Sequence, residues 1–264
     1  MITSTHNPKI QLVRGLLGHT KERRANQAFV AEGIRLVEEA LSAGWPFRFV
    51  LAGESLSERG STLVTALQTQ GVDVEAVADN LMQSVSETDT SQGLLAVLET
   101  ASLPIPQNLS FVLILDQIRD PGNLGTLLRT AAAAGVQAVL LPPETTDAFA
   151  PKVVRAGMGA HFRMPIHALN WDEIQLRTNG LRILVADMEG TACWETDLGA
   201  PLALIVGGEA EGASQVAREL ASGQVCIPMP GRSESLNAAA AGAVLMFEVV
   251  RQRTGKQGKN QTVE

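Results

Sequence analysis

Three short stretches hold residues whose types and spacing could do chemistry. The first runs Asp116-Gln117-Ile118-Arg119-Asp120-Pro121-Gly122-Asn123-Leu124-Gly125-Thr126-Leu127-Leu128-Arg129 and follows an apolar run at 111–115 that reads as a strand covered on both faces. Asp120-Pro121-Gly122 breaks the strand, and Asn123 is placed to cap a helix on which Leu124, Leu127, Leu128, Ala131 and Gly135 keep the helical period. Arg129 falls off that stripe. Helical side chains lean toward the N-terminus, so its guanidinium is expected to reach back over the small Gly125 and Thr126 toward Asn123. An amide and a permanent cation then share one edge of a sheet, an arrangement compatible with many polar ligands.

The second stretch, Gly207-Gly208-Glu209-Ala210-Glu211-Gly212-Ala213-Ser214, follows the apolar run 202–206. Its spacing is not Gly-x-Gly-x-x-Gly, and Glu209 and Glu211 would repel a pyrophosphate, so a nicotinamide cofactor is disfavoured. Adjacent glycines let a ligand approach the backbone, and the carboxylates suit a neutral or cationic one; a tight turn with solvated acids is the alternative. The third stretch begins Cys226-Ile227-Pro228-Met229-Pro230-Gly231 and ends Ser235-Leu236-Asn237 before four alanines and Gly242. Ser235 reads as the N-cap of that helix. Asn237, one turn in, has poor helix propensity there and needs a partner.

These stretches sit in an alternation of strand and helix. Short apolar runs at 47–51, 72–77 and 94–98 read as strands, with helices at 34–41 and 63–70, and residues 1–98 form a small α/β unit. Residues 99–110, with Pro104 and Pro106, lack periodicity and read as a linker. A second domain at 111–253 follows, with strands at 111–115, 137–141, 181–186, 202–206 and near 225–227, and helices at 123–135, 149–156, 213–220 and 235–253. Strands joined by crossover helices imply a parallel sheet with a ligand crevice at its carboxyl edge. Residues 254–264 are polar and read as a disordered tail.

Bulk properties narrow the classes. The 264 residues are 45% hydrophobic and 19% charged, as in an ordinary soluble protein. Two unpaired-looking cysteines and four scattered histidines indicate neither a disulfide framework nor a metal site, and a reducing cytoplasm fits best. No run is long enough to span a membrane. The net charge of −7 argues against a wholly nucleic-acid-binding surface, yet both ends are basic. Arg14, Lys21, Arg23 and Arg24 lie in the first 24 residues, either as a solvated face or as an RNA contact.

Taken together, Asp120-Pro121-x-Asn123-x-Gly125-x-x-x-Arg129, Gly207-Gly208-Glu209-x-x-Gly212, and Ile227-Pro228-Met229 followed by Ser235-Leu236-Asn237 closely resemble the three motifs of the SpoU-type RNA ribose methyltransferases of the SPOUT superfamily. Phe29-Val30-Ala31-Glu32-Gly33 resembles part of the small α/β RNA-binding domain often fused to them. The resemblance implies a C-terminal SPOUT domain with a parallel sheet and a deep trefoil knot, a homodimer, and bent S-adenosylmethionine held by Gly207, Gly208, Ile227, Met229 and Leu236. It implies methyl transfer to a ribose 2'-oxygen, most simply of ribosomal RNA, with Asn123, Arg129, Glu209, Ser235 and Asn237 as the catalytic set. Arg129 serves there as a cation that binds the neighbouring phosphate and stabilises developing alkoxide rather than as a literal base. Arg155 resembles a further family arginine that approaches the site, or is an ordinary helix-end arginine; Gly157 stands where the family often has serine. With the family in view, the N-terminal basic residues are expected to contact phosphate. A transfer-RNA ribose methyltransferase and a non-catalytic RNA-binding protein of the same fold are the competing readings. The motifs name neither the nucleotide nor the proton acceptor, and do not separate housekeeping from drug resistance.

Overall fold

The structure, a computed structural model, describes residues 1–88, 91–209, 211–231 and 235–260, with backbone alone for 256–260. Two compact units emerge, and the chain visits the first of them twice: it comprises Met1–Ala101 and Asp147–Phe162, while the second comprises Ser102–Thr146 and the chain from Arg163 onward.

In chain order the elements are α1 (Pro8–Gly18), α2 (Thr20–Asn26), β1 (Ala28–Glu32), α3 (Ile34–Ser42), β2 (Phe47–Gly53), α4 (Glu58–Thr69), β3 (Val74–Val77), α5 (Asp79–Val85) and β4 (Leu94–Glu99). There follow β5 (Phe111–Asp116), α6 (Pro121–Ala133), β6 (Ala138–Leu141), α7 (Pro151–Gly157), β7 (Ile166–Ala168), α8 (Trp171–Arg177), β8 (Arg182–Ala192), β9 (Leu202–Gly207), α9 (Gln215–Leu220), β10 (Gly223–Cys226) and α10 (Ala238–Asn260).

The first unit folds around a four-stranded sheet of order β1-β4-β2-β3, in which only the β2–β3 pair is parallel. Every residue of β1 is buried, and Gly33 then takes φ +100°, a left-handed turn that aims the chain into α3. The segment around 149–156, expected in the second domain, groups by its contacts with the first unit. The Phe149 ring lies 4.9 Å from that of Phe29, and the Phe162 ring 5.2 Å from that of Trp45, so aromatic burial draws residues 147–162 into the first unit. Beside these rings His161 is buried. Its Nε2 lies 2.7 Å from the Ala148 carbonyl oxygen, its Nδ1 has no partner among the described residues, and burial pushes its pKa down to about 4.

The second unit carries a six-stranded, wholly parallel sheet of order β10-β8-β9-β5-β6-β7. β5 is buried throughout, as its unbroken apolar sequence requires of a central strand. The strand order reverses between β5 and β9, whose last residues Asp116 and Gly207 face each other in register. That switch point is where an open α/β sheet leaves its crevice. Elements missing from the sequence reading include β7 and α8, although Asn170 and Glu173 form a reciprocal capping box that marks the start of α8. At the C-terminus α10 continues to Asn260, past the helix end expected at 253; residues 261–264 of the expected tail lie outside the described residues. Among the described residues no helix is long and apolar enough to cross a membrane.

Candidate functional site

The site grows from the two loops at the switch point. β5 ends at Asp116, whose carboxylate is 1% exposed and accepts the Ser214 N–H at 2.6 Å, holding the start of α9 against the strand. Asp120, not Asn123, is the N-cap of α6: its side chain accepts the Asn123 N–H at 2.8 Å, and Pro121 supplies the preset φ of the first helical position. With Asp120 as the cap, the Asn123 side chain is left to reach across the crevice. Across the crevice, Gly207 and Gly208 allow two backbones to meet: a Cβ on Gly207 would lie 2.2 Å from the Ala213 nitrogen, and one on Gly208 2.5 Å from the Gln117 oxygen. The loop closes on itself where the Gly208 N–H reaches the Gly212 oxygen at 3.1 Å, presenting Glu209 at its exposed tip.

The third loop meets the first two side by side. α10 begins at Ala238, so Asn237 is its cap rather than a residue one turn in, and Ser235 lies outside the helix. The Asn237 Oδ1 accepts the N–H groups of Ala239 and Ala240 at 2.9 and 3.2 Å. That fixes which way the amide points. Its Nδ2 donates to the Asn123 Oδ1 at 3.0 Å, and the Asn123 Nδ2 donates to the Glu209 Oε1 at 2.5 Å. Helix amides, two asparagines and a carboxylate therefore form one directional chain, each donor set by the acceptor before it. Arg129, exposed on α6, has no hydrogen bond or ion pair with any described residue, so its guanidinium is available to an anion.

Beside this chain is a cavity of about 690 Å³, the size of a pocket for a small cofactor. Val206, Ile227 and Leu245 supply apolar wall, and Glu209 and Glu211 supply negative charge. Gly207, Gly208, Met229, Ser235 and Leu236 also line it, so every residue expected to hold cofactor, together with Glu209 and Ser235, is at one cavity. Pro228 and Pro230 lack N–H groups, which keeps residues 227–230 out of the ladder and leaves their backbone beside the cavity. The wall opposite was not legible in the sequence. Between Gln224 and Val225 the β8–β10 register jumps from Val185 to Thr191, so residues 186–190 bulge out of the ladder, and Asp187, Met188 and Glu189 line the cavity.

The expected RNA contacts divide. Lys21 and Arg24 are exposed on α2, and Arg14 is half-buried with its Nη2 donating to the Ser84 Oγ at 3.2 Å. Arg23 is 5% exposed and is not a phosphate contact: it pairs with Asp147 at 2.8 Å and donates to the Leu16 oxygen at 2.6 Å and the Thr20 Oγ1 at 2.9 Å. Arg155 lies on α7 in the first unit, where it pairs with Glu87 at 3.0 Å and Glu32 at 3.6 Å.

A crevice at the switch point of a parallel sheet, walled by glycine loops and carrying an oriented amide–carboxylate chain, defines a ligand-binding α/β enzyme domain. Residues 110–247 match the model of the SpoU rRNA methylase family, and residues 7–96 match that of the MRM3-like substrate binding domain. The chain is 33% identical to the 23S rRNA (guanosine(2553)-2'-O)-methyltransferase RlmP of Bacillus subtilis, over 94% of this chain and 98% of that protein. Its fold matches the SpoU methyltransferase AviRb of Streptomyces viridochromogenes, solved with AdoMet, with TM-score 0.86 and 28% identity over 94% of this chain and 99% of that one. An AdoMet-bound rRNA methyltransferase from Sinorhizobium meliloti gives TM-score 0.84 and 30% identity over 95% and 97%. The chain belongs to the SpoU rRNA methylase family.

Proposed function

We propose that this protein transfers a methyl group from S-adenosylmethionine to a ribose 2'-oxygen of ribosomal RNA, with the large-subunit 23S-type RNA as substrate. The observation that carries the reading is the directional chain from the α10 amides through Asn237 and Asn123 to Glu209, set on the rim of the cavity. The cavity suits the cofactor: its apolar floor fits a nucleoside, its carboxylates fit a cation, and its volume fits a molecule of that size. When bound there, the cofactor supplies a methyl activated by a sulfonium.

Asn123 orients the 2'-hydroxyl, with Glu209 and Asn237 fixing the amide on either side. Arg129 would bind the adjoining phosphate and stabilise alkoxide character developing on the 2'-oxygen. Gly207, Gly208, Ile227, Met229 and Leu236 hold the cofactor, and Ser235 completes the cavity rim. The first unit supplies RNA contacts through Arg14, Lys21 and Arg24. Exposed Ala240, Val244, Phe247 and Arg251 make a stripe along α10 at helical spacing that suits a second copy of the chain, giving a homodimer. The resemblance of the three motifs to those of the family supports a C-terminal segment threaded as a trefoil knot; α10 itself packs tightly on α6, where a Cβ at Gly242 would lie 2.4 Å from the Leu127 Cδ2. A ribosomal RNA substrate and the free thiols of Cys193 and Cys226 support a cytoplasmic setting.

Tritium-labelled S-adenosylmethionine incubated with unmodified ribosomal RNA and, separately, transfer RNA tests the reading. Label in a 2'-O-methylated nucleotide of ribosomal RNA is expected, and its loss in Arg129→Ala with cofactor binding retained. Label in transfer RNA alone, or full turnover by the variant, overturns the substrate or the role of Arg129.

A further inference from the structure

The bulge at 186–190 has left the β-ladder, yet it forms one wall of the cavity, so something other than strand pairing must hold it. Asp187 does this with both carboxylate oxygens. Its Oδ1 accepts the Glu189 N–H at 3.1 Å, which closes the turn of the bulge, and its Oδ2 pairs with the Arg218 Nη1. Arg218 reaches the bulge from α9, and its Nε donates to the Ala213 oxygen at 3.1 Å, at the end of the loop that carries Glu209. One guanidinium thus ties the two walls of the cavity together. The Asp187 side chain is only 11% exposed, so the pair is not a loose surface contact.

We infer that the Asp187–Arg218 pair is a positioning device that sets the gap between the 186–190 bulge and the 207–213 loop, and so sets cofactor affinity. This rests on the placement of S-adenosylmethionine in the cavity. Met188, 63% exposed on the bulge and lining the cavity, is the side chain whose cover over the cofactor depends on that gap.

Charge alone predicts the opposite. Arg218 is the only cation among the described residues lining the cavity, beside Asp187, Glu189, Glu209 and Glu211. If it acted only through its field, removing it would tighten binding of the cationic sulfonium cofactor and leave the neutral thioether product unaffected. Positioning predicts instead that both ligands weaken together.

Isothermal titration of the full chain with S-adenosylmethionine and with S-adenosylhomocysteine decides between them. Arg218→Ala and Asp187→Ala are each expected to raise both Kd values about tenfold with their ratio unchanged. The double variant should be no weaker than the worse single one, because the two side chains act as a unit. Arg218→Lys, which keeps the charge but cannot make both contacts, should fall between. With saturating cofactor, kcat should stay within about twofold of wild type while KM for the cofactor rises. Unchanged Kd values, tighter S-adenosylmethionine binding with an altered ratio, or additive losses in the double variant overturn the inference. Leu236→Arg separates it from the placement beneath it: if that variant weakens binding and the pair variants do not, only the pair's role fails; if none does, the cavity placement fails as well.

Discussion

Replacing Asn237 by Asp keeps an oxygen where α10 needs one and removes an N–H where Asn123 needs it. The helix end should hardly notice, because Asp and Asn cap equally well, whereas Asn237→Ala loses both cap bonds and about 1 kcal/mol of stability. For a unit of this size that is roughly 2–4 °C in Tm. Laterally the Asp variant sets two acceptors face to face across the 3.0 Å that now separates Asn237 Nδ2 from Asn123 Oδ1. If Asn123 turns its amide over to donate to the new carboxylate, its oxygen then faces the Glu209 Oε1, now 2.5 Å from its nitrogen. One bond of the chain is lost either way. A lost hydrogen bond with an acceptor left opposed is worth about 1–3 kcal/mol, which lowers the methyl-transfer rate roughly 5- to 150-fold if Asn123 must be aligned in the transition state. Single-turnover methyl transfer at saturating cofactor, paired with thermal melts of wild type, Asn237→Asp and Asn237→Ala, reads both effects. A wild-type rate in the Asp variant, or a Tm loss matching that of the Ala variant, refutes the directional chain as the orienting element.

Other consequences concern the first unit. His161 is held neutral with its pKa near 4 against an ordinary 6.5, so the unfolded chain takes up its proton first as the pH falls. Its contribution is therefore fully present above pH 6.5 and is lost between 6.5 and about 4, some 3 kcal/mol in all. Urea unfolding at pH 7 and pH 4 should show that loss in wild type and much less of it in His161→Gln; a difference between the two proteins that does not change with pH refutes it. Arg23→Gln should cost about 3 kcal/mol in urea unfolding, since it strands Asp147 beside a buried vacancy, whereas Lys21→Gln with Arg24→Gln should leave stability alone. The latter pair should instead flatten the salt dependence of RNA binding by about one to two in log–log slope; an unchanged slope removes α2 from the RNA surface.

Much of the site was legible because its motifs encode local geometry. A fully apolar β5, a Pro121 turn and a periodic α6 follow from neighbouring residues, as do the glycines that let residues 207–208 pass close to Gln117 and Ala213. The cap assignments missed by a few residues for a local reason too: Asp120 and Asn237 compete with Asn123 and Ser235 for the same role, and the helix start decides between equally good cappers.

By itself the sequence determined the strand–turn–helix units, the family, and the residue types at the crevice, since each depends on contacts a few positions apart. The tertiary structure alone decided that Asn123 meets Asn237 and Glu209, across 114 and 86 positions, because β9 inserts beside β5 and not in chain order. It also decided that residues 147–162 fold with the first unit, that Arg23 is interior, and that Asp187 and Arg218 brace the cavity. None of these has a period to read. Each follows from which surfaces become buried together, a property of the packed chain and not of any window along it.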